Sequence, residues 1–342
     1  MKVLVITDQH FGVRNDSLVY VEYYKKFYSK VVIPFIKKFG IQHVLCLGDT
    51  FDRRKSVNFN SLEAAKEMWF TPLEEMGVSM TMLVGNHDIY YKNTLRVNSP
   101  DLLLGEFGNI QVVDVPTELN IGDCSILCVP WICDSNRDDT YRLLETSTAR
   151  LCVGHLEFTG FEAVPGLVME HGYSPEPFAK FEKVLSGHYH TKSNKKNIHY
   201  LGNPYELYWN DYKTRKGFHI LDTETLDLKF YRNPYTIFEK IFYNDEIQID
   251  IDQYKDKYVK LVVEEKKDQV KFDKVVSLLY DVGVVDLKII EDLSVELDEV
   301  EHLETEDTLS LLERYIDDSE CQADKQSVKD IIKTLYLEAC ET

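Results

Sequence analysis

Short apolar runs alternate with longer segments in which apolar residues recur every three or four positions over the first hundred residues. The short runs are typical of buried strands, and the longer segments are typical of amphipathic helices. The predicted order is strand, helix, strand, helix and strand, at residues 3–6, 21–39, 44–47, 61–76 and 80–84. Gly40 and Gly77 end the two helices, and Ser61 is a suitable N-cap for the second. This order predicts a parallel sheet with functional groups at the carboxyl ends of its strands.

A different pattern of short, closely spaced apolar runs begins near residue 110. The predicted strands lie at residues 110–115, 124–129, 151–153, 184–185, 198–201, 218–221 and 226–231. The last two flank a polar turn and predict a hairpin. Together these strands predict a second sheet packed on the first, so the expected fold class is an α/β two-sheet sandwich flanked by helices.

A smaller β-α-β pattern follows Asn233-Pro234, and the composition then becomes strongly acidic. We predict four parts, namely a large domain at 1–235, a small α+β domain at 236–290, an acidic linker at 291–307 and C-terminal helices at 308–342.

The chain of 342 residues carries 39 basic and 58 acidic residues, a net charge of −19. Residues 291–342 hold 17 acids and 4 bases, so they contribute −13 and leave −6 for the remainder. A protein this acidic does not bind nucleic acid through its overall charge, so any such contact needs local basic loops or bound cations. An odd number of cysteines (seven), no long apolar run and no signal-peptide layout predict a cytoplasmic protein without a membrane span.

Carboxylates, imidazoles and one amide follow five of the predicted strands. These candidate metal ligands are Asp8, His10, Asp49, Asn86, His155, His188 and His190. Asp-x-His and His-x-His place both side chains of a pair on one face of an extended segment. Seven oxygen and nitrogen donors without a thiolate suit two divalent metals of the manganese, iron or zinc type that share one carboxylate. The histidine of a single Gly-His dipeptide usually binds no metal. The prediction of a metal site therefore depends on the ordered set of motifs as a whole.

These motifs together resemble the calcineurin-like metallophosphoesterase superfamily over residues 1–232. They are most similar to the nuclease subunits of SbcCD-type DNA-repair complexes and to the recombination endonuclease subunits of T-even-like phages. The motifs that carry the resemblance are Asp8-Gln9-His10-Phe11-Gly12, Gly48-Asp49-Thr50-Phe51-Asp52, Gly85-Asn86-His87-Asp88 and Gly187-His188-Tyr189-His190. The resemblance is much weaker after residue 235.

The resemblance implies two metals, expected to be Mn²⁺ with Mg²⁺ as the alternative. It assigns the first metal to Asp8, His10, Asp49 and His190, and the second to Asp49, Asn86, His155 and His188. His87 would then stabilise or protonate the leaving oxygen of the scissile phosphate, and Asp88 would orient His87. Some relatives have a histidine where this chain has Asp52, so we expect Asp52 only to support its loop.

The implied function is that of a manganese-dependent DNA nuclease that uses a metal-activated hydroxide. It would act as a duplex exonuclease and single-strand endonuclease in DNA repair, recombination and replication, in the host cytoplasm if a phage encodes it. A metallophosphatase or cyclic-nucleotide phosphodiesterase is an alternative, because those enzymes share the motifs. Another alternative is a non-catalytic scaffold of an ATPase complex.

Two sets of residues are candidates for DNA contacts. The first set is basic. Eight of its residues follow the metal-ligand motifs, namely Arg53, Arg54, Lys55, Lys92, Arg96, Lys192, Lys195 and Lys196, and three precede the hairpin, namely Lys213, Arg215 and Lys216. The second is aromatic and comprises Tyr205, Tyr208 and Trp209, which could stack on unpaired bases. Solvated loops and packing between the sheets are the alternatives for these sets.

Apolar residues recur at helical spacing in the acidic C-terminal segment. The candidates for partner contacts are Leu309, Leu312, Ile316, Ile331 and Leu335. Short amphipathic helices on a tether are suited to docking in a partner's groove, and the family resemblance implies the coiled-coil base of an SMC-like ATPase. Packing back onto the small domain is the alternative. The resemblance also implies a homodimer, formed through the helix at 61–76 and the segment 102–104.

Overall fold

A computed structural model describes residues 1–164, 166–291, 316 and 324–340. The chain divides into two compact units, Met1–Thr236 and Ile237–Thr342. The first unit contains two six-stranded sheets, and the second contains a three-stranded sheet.

The first sheet combines a parallel centre with an antiparallel edge. Its strands, in spatial order, are Leu228–Arg232, Gly217–Asp222, Lys2–Ile6, His43–Cys46, Ser79–Leu83 and Ile110–Val113. Leu4 lies opposite Val44 in the parallel pair and opposite Ile220 in the antiparallel pair. The four strands from Lys2 to Val113 run parallel, so their carboxyl ends meet at one edge.

The second sheet has the same mixture of parallel and antiparallel pairs. Its strands, in spatial order, are Ser193–Lys195, Ile198–Tyr200, Lys183–Gly187, Leu151–His155, Cys124–Val129 and Thr117–Ile121. Apolar side chains of both sheets form one buried cluster, including Val5 and Leu45 from the first sheet and Val153 and Leu185 from the second. The structure therefore confirms the predicted two-sheet sandwich.

Two assignments of strands to sheets differ from the prediction. Ile110–Val113 pairs with Ser79–Leu83 and so extends the first sheet. The hairpin also joins the first sheet, because Gly217–Asp222 pairs with Lys2–Ile6. Apolar patterning indicates that a segment is a buried strand, but the pairing partner is decided by tertiary contacts.

Helices cover the sandwich. Their bounds are Leu18–Phe27, Ile33–Phe39, Phe59–Ala65, Thr71–Glu75, Ser99–Leu104 and Arg137–Thr146, with π-helical turns at Tyr28–Val32 and Lys66–Phe70 and 3-10 turns at Glu176–Phe178 and Trp209–Asp211. The first helix begins at Leu18, three residues earlier than predicted, and ends as expected at the left-handed Gly40. The predicted N-cap at Ser61 is wrong. Asn58 caps that helix, because its side chain accepts a hydrogen bond from the Asn60 amide at 2.9 Å.

Two short hairpins complete the first unit. They are formed by Ile89–Tyr91 with Thr94–Asn98 and by Glu162–Val164 with Leu167–Val168. Neither hairpin is among the strands predicted from the apolar pattern.

The second unit contains three parallel strands and a helix. The strands are Phe238–Tyr243, Tyr258–Val263 and Asp286–Glu291, the helix is Gln269–Val282, and a 3-10 turn spans Ile251–Tyr254. Asp268 caps the helix at its start and the left-handed Gly283 ends it. Leu261, Phe272 and Leu279 lie in the buried core of this unit.

The C-terminal segment is described only in part. A helix spans Lys325–Cys340, where Ile331 is 59% exposed, and Ile316 is buried. Leu309, Leu312 and the predicted linker beyond residue 291 lie outside the described residues, as does the side chain of Leu335. Across the parts of the chain that the structure describes, no helix is both long enough and apolar enough to cross a bilayer.

Candidate metal centre

Every candidate ligand lies at, or just beyond, the carboxyl end of a strand. Asp8 and His10 follow Lys2–Ile6, and Asp49 follows His43–Cys46. The remaining ligands follow or end three other strands, with Asn86 after Ser79–Leu83, His155 at the end of Leu151–His155, and His188 and His190 after Lys183–Gly187. The packing of the two sheets brings these strand ends together.

One group of donor atoms is formed by Asp8, His10 and His190, whose ligand atoms lie within 4.8 Å of one another. His10 Nε2 and His190 Nε2 are 3.1 Å apart. His10 Nε2 also lies 3.8 Å from Asp49 Oδ2. These four side chains supply two imidazoles and two carboxylates, a set that suits a divalent transition metal.

A second group is formed by Asp49, His155 and His188. Asp49 Oδ2 lies 3.3 Å from His155 Nε2. The amide oxygen of Asn86 joins this group, at 2.9 Å from His155 Nε2 and 3.0 Å from His188 Nδ1. Asp49 Oδ2 therefore lies near both groups, which is the position that a bridging carboxylate requires. The donor chemistry of the two groups fits two divalent metals.

Backbone strain is concentrated at these ligands. The φ angles of Asp8, His10, Asp49 and His188 are 52°, 45°, 52° and 86°, all in the left-handed region. Such conformations are disfavoured for residues with a Cβ and persist where the surrounding structure enforces them, commonly at functional sites. Close packing also explains the glycine in the Gly-Asn motif, because a Cβ on Gly85 would lie 2.2 Å from Asp49 Oδ1.

Burial and neighbouring charges shift the pKa values of the ligands. Burial alone would raise the pKa of Asp49, but His155, His87 and His10 hold the pKa of that carboxyl well below its usual range. Burial alone would lower the pKa of His155, but the carboxylate of Asp49 raises it to about 9. Asp49 is therefore ionised at neutral pH, the state in which a carboxylate binds a metal.

Asp52 contacts the ligand His10, a role that the sequence analysis missed. Asp52 Oδ1 lies 3.4 Å from His10 Nδ1, on the ring edge opposite the Nε2 that faces the other donors. A carboxylate behind a histidine ligand fixes the orientation of the ring and raises its basicity. Asp52 is therefore close enough to His10 to act on its ring as well as to support its own loop. A further aromatic contact comes from Trp131, whose ring centroid lies 5.1 Å from that of His188.

His87 and Asp88 make different contacts. The Nδ1–H of His87 donates to the carbonyl oxygen of Asp52 at 2.6 Å, which directs Nε2 away from that carbonyl. Asp88 is fully buried and accepts hydrogen bonds from the amides of Thr50, Phe51 and Gly85 at 2.9–3.2 Å. Burial, together with the nearby charge of Asp49, raises the pKa of Asp88 to about 6. Asp88 thus ties together the loops that carry Asp49 and Asn86.

A buried lysine supports the His190 loop. The ammonium of Lys216 donates to the carbonyl oxygen of His190 at 2.9 Å and to Asn203 Oδ1, and it lies 2.5 Å from Asp211 Oδ1. These three acceptors use all three ammonium protons. Burial alone would raise the pKa of Asp211, but the charge of Lys216 lowers it. The expectation that Lys216 lies on a DNA track is wrong, because the residue is only 4% exposed.

We expect Lys216→Met to lower the free energy of unfolding by about 3–5 kcal/mol, because it leaves Asp211 buried without its counter-charge. Urea denaturation measures this change. Lys66→Met is the control, since the Lys66–Glu106 pair is 26% and 61% exposed and should contribute less than about 1 kcal/mol. An equal loss in the two variants would contradict a stabilising role for the buried network.

The structure separates the predicted DNA contacts into exposed and buried residues. Of the eight basic candidates that follow the motifs, Arg54 is half-buried and the other seven are exposed. The exposed residues are Arg53, Lys55, Lys92, Arg96, Lys192, Lys195 and Lys196. Tyr205 cannot stack on bases as predicted, because it is fully buried and its hydroxyl donates to the carbonyl oxygen of Gln9. Tyr208 is half-buried, and its ring lies parallel to that of His190, with centroids 6.4 Å apart.

Two comparisons with known proteins match most of the sequence. The family model described as calcineurin-like phosphoesterase matches residues 1–263. Exonuclease subunit 1 of Enterobacteria phage T4 is 33% identical over 348 residues, which cover all of both chains.

Solved structures give more remote likenesses. A novel archaeal phosphodiesterase is 10% identical and has a TM-score of 0.34, and a hypothetical protein from Thermus thermophilus is 18% identical and has a TM-score of 0.37. Each match covers 68% of this chain and all of the other. The family assignment therefore depends on the family model and the phage relative, which both extend over most of the sequence. This chain belongs to the calcineurin-like phosphoesterase family.

Proposed function

We propose that this protein is the nuclease subunit of a DNA-processing complex and that it hydrolyses phosphodiester bonds with two Mn²⁺ ions. The observation that carries the proposal is the pair of donor groups around Asp49. A relative named as an exonuclease subunit, similar over its full length, supports DNA as the substrate. In this proposal the protein acts on duplex ends as an exonuclease and on single strands as an endonuclease.

The residues have separate roles in this proposal. Asp8, His10, Asp49 and His190 would hold one metal, and Asp49, Asn86, His155 and His188 the other. When bound, two such metals activate the attacking water and clamp the oxygens of the phosphate. His87, held through Nδ1 by the Asp52 carbonyl, would present Nε2 to the leaving oxygen as a proton donor. Asp88 would support this arrangement by fixing the loop that carries His87.

A cleavage assay tests the proposal against its alternatives. The full chain should cut linear duplex and single-stranded DNA when Mn²⁺ is present and should stop when EDTA is added. Cleavage of bis(p-nitrophenyl) phosphate without cleavage of DNA would favour a phosphatase or cyclic-nucleotide phosphodiesterase. Absence of both activities, with the metals bound, would favour a scaffold.

The proposed partner is an SMC-like ATPase that binds the C-terminal helices. Within the helix Lys325–Cys340, Ile331 is 59% exposed, so this helix presents an apolar side chain to a partner. The acidic charge beyond residue 290 favours a basic groove on that partner.

We expect a chain that ends at Ile290 to retain basal Mn²⁺-dependent cleavage and to lose binding to the ATPase, because the proposed contact residues are removed. Co-purification with the ATPase measures the second effect, with the full chain as the reference. If the shortened chain bound the ATPase as tightly as the full chain, the assignment of the partner site would be wrong.

We also propose a homodimer. The helix that the sequence places at 61–76 begins two residues earlier, at Phe59, which is 87% exposed. Leu102, in the segment 102–104, is 70% exposed, so each region offers an apolar side chain to a second copy. Burial of such side chains against a second copy would be favourable. Sedimentation that shows only monomers at micromolar concentration would contradict this proposal.

A further inference from the structure

A turn of left-handed backbone follows the first metal-ligand motif. Arg14, Asn15 and Asp16 have φ angles of 56°, 57° and 59°. This conformation is disfavoured in residues that carry a Cβ, since the Cβ crowds the following carbonyl oxygen, and it rarely extends over three consecutive residues. Strain of this kind persists where surrounding contacts enforce it and is found at functional sites.

Contacts of Asn15 and Asp16 hold this turn. The Ser61 hydroxyl donates to Asp16 Oδ1 at 2.7 Å, and Arg53 donates to Asn15 Oδ1 while lying 3.7 Å from Asp16 Oδ2. Gly12 is required next to the turn, because a Cβ there would lie 2.8 Å from Asp16 Oδ1. The anchoring contacts thus belong to the second and third residues of the turn and fix the position of the first, Arg14.

Arg14 lies against an aromatic ring that is itself next to a metal ligand. Its guanidinium carbon is 5.0 Å from the centroid of the Tyr208 ring, and that ring is parallel to the imidazole of His190 within 4°. The Nε–H of Arg14 donates to the carbonyl oxygen of Leu207 at 3.3 Å. Among the residues that the structure describes, this carbonyl is the only protein acceptor for Arg14, so the four N–H groups at the end of the guanidinium have no protein partner.

We propose that Arg14 binds a phosphate of the DNA strand, at a nucleotide next to the one that is cut, and the proposal rests on the nuclease function above. A guanidinium offers paired N–H groups that match two phosphate oxygens. The Tyr208 ring holds the cation without neutralising its charge. Since Arg14 is separated from His190 by the Tyr208 contact, its phosphate belongs to a neighbouring nucleotide and not to the scissile position.

This site adds to the local positive charge that an acidic protein needs in order to bind DNA. The net charge of −19 repels a polyanion, so attraction must come from cations fixed near the cleavage site. Arg53 is less suited to this role, because it already contacts Asn15 and Asp16. Arg14 was not among the predicted DNA contacts, since nothing in its sequence position indicates its proximity to Tyr208.

Binding of a fluorescent single-stranded oligonucleotide, followed by anisotropy in EDTA at several salt concentrations, tests the proposal. Arg14→Met should weaken binding about 10-fold and reduce the slope of log K against log salt by about 0.7, the value for one lost phosphate contact on a single strand. Arg14→Lys should keep the slope, because the charge is retained. Arg142→Met is the control, since Arg142 is 72% exposed, pairs with Asp139 and lies outside the loops of the metal centre.

Kinetics with Mn²⁺ separate a phosphate contact from an indirect effect on His190. Arg14→Met should raise the KM for DNA with little effect on kcat, and it should lose far less activity on bis(p-nitrophenyl) phosphate, which has a single phosphate. Equal losses on both substrates, or wild-type affinity and salt slope in Arg14→Met, would overturn this inference alone. If the wild-type protein neither bound nor cut DNA, the nuclease proposal would fail and this inference with it.

Discussion

Asp49→Ala should remove bound Mn²⁺ and reduce the rate of DNA cleavage by about 10³-fold or more. Metal catalysis lowers the activation free energy by several kcal/mol, and each 1.36 kcal/mol changes the rate by a factor of about ten. The physical reason is the position of Asp49 Oδ2 near donors of both groups, 3.8 Å from His10 Nε2 and 3.3 Å from His155 Nε2. Asp8, the other carboxylate among the candidate ligands, belongs only to the group with His10 and His190. Loss of this side chain therefore affects both proposed metals, whereas loss of Asp8 affects one.

The measurement is metal content after gel filtration, together with the initial rate of cleavage. Asp139→Ala is a matched control, because it removes a 60% exposed carboxylate from the helix Arg137–Thr146. Circular dichroism of each variant excludes unfolding as the cause of a lost activity. A variant without Asp49 that cut DNA at the wild-type rate would refute the two-metal proposal.

The positions of the candidate ligands could be anticipated because two local signals coincide in this sequence. Each apolar run predicts where a strand ends, and the polar motif directly after it supplies the donors. Parallel strands with right-handed crossovers bring such ends to one edge, so no long-range contact had to be known. The ligands Asp8, Asp49 and Asn86 all come from this repeated strand-and-loop pattern of the first sheet.

The supporting contacts could not be anticipated, because they join residues far apart in the sequence. Asp52 lies 42 residues after His10, and Lys216 lies 26 residues after His190. A lysine before a hairpin is usually exposed, and only the packed fold shows that Lys216 fills a buried position with three acceptors. Sequence patterns therefore predict the donors better than the residues that orient them.

Helical periodicity also fails where the helix is not regular. Met68 and Phe70 lie off the apolar stripe of an ideal helix over residues 61–76, so helical periodicity alone would leave both side chains exposed. The structure has a π-helical turn at Lys66–Phe70, and both residues are buried there together with Trp69. An i→i+5 turn rotates the following side chains relative to a 3.6-residue period, which widens the buried face. The exposed Phe59 and Leu102 are better candidates for the proposed dimer contact.

His87→Ala should separate chemistry from binding. The His87 amide donates to Asp49 Oδ1 at 2.8 Å through the backbone, and this bond does not depend on the side chain. The imidazole is held by its own hydrogen bond from Nδ1 to the Asp52 carbonyl, so Nε2 is the ring nitrogen that we propose faces the leaving oxygen. Removal of the ring should therefore keep metal content and DNA affinity near the wild-type values. The rate of DNA cleavage should fall by about 10²–10⁴, the usual contribution of a general acid.

The dependence on the leaving group gives a sharper test of the same role. A sugar alkoxide needs a proton as it departs, whereas p-nitrophenolate is stable as an anion at neutral pH. His87→Ala should therefore lose much more activity on DNA than on bis(p-nitrophenyl) phosphate, and His87→Gln, which keeps a polar side chain but cannot deliver a proton, should behave in the same way. Similar losses on the two substrates would indicate that His87 stabilises phosphate charge and does not protonate the leaving oxygen. Loss of bound metal in His87→Ala would instead assign His87 to the metal ligands. Asp52 would then contact two ligands, since its carboxylate lies next to His10 and its carbonyl oxygen accepts a hydrogen bond from His87.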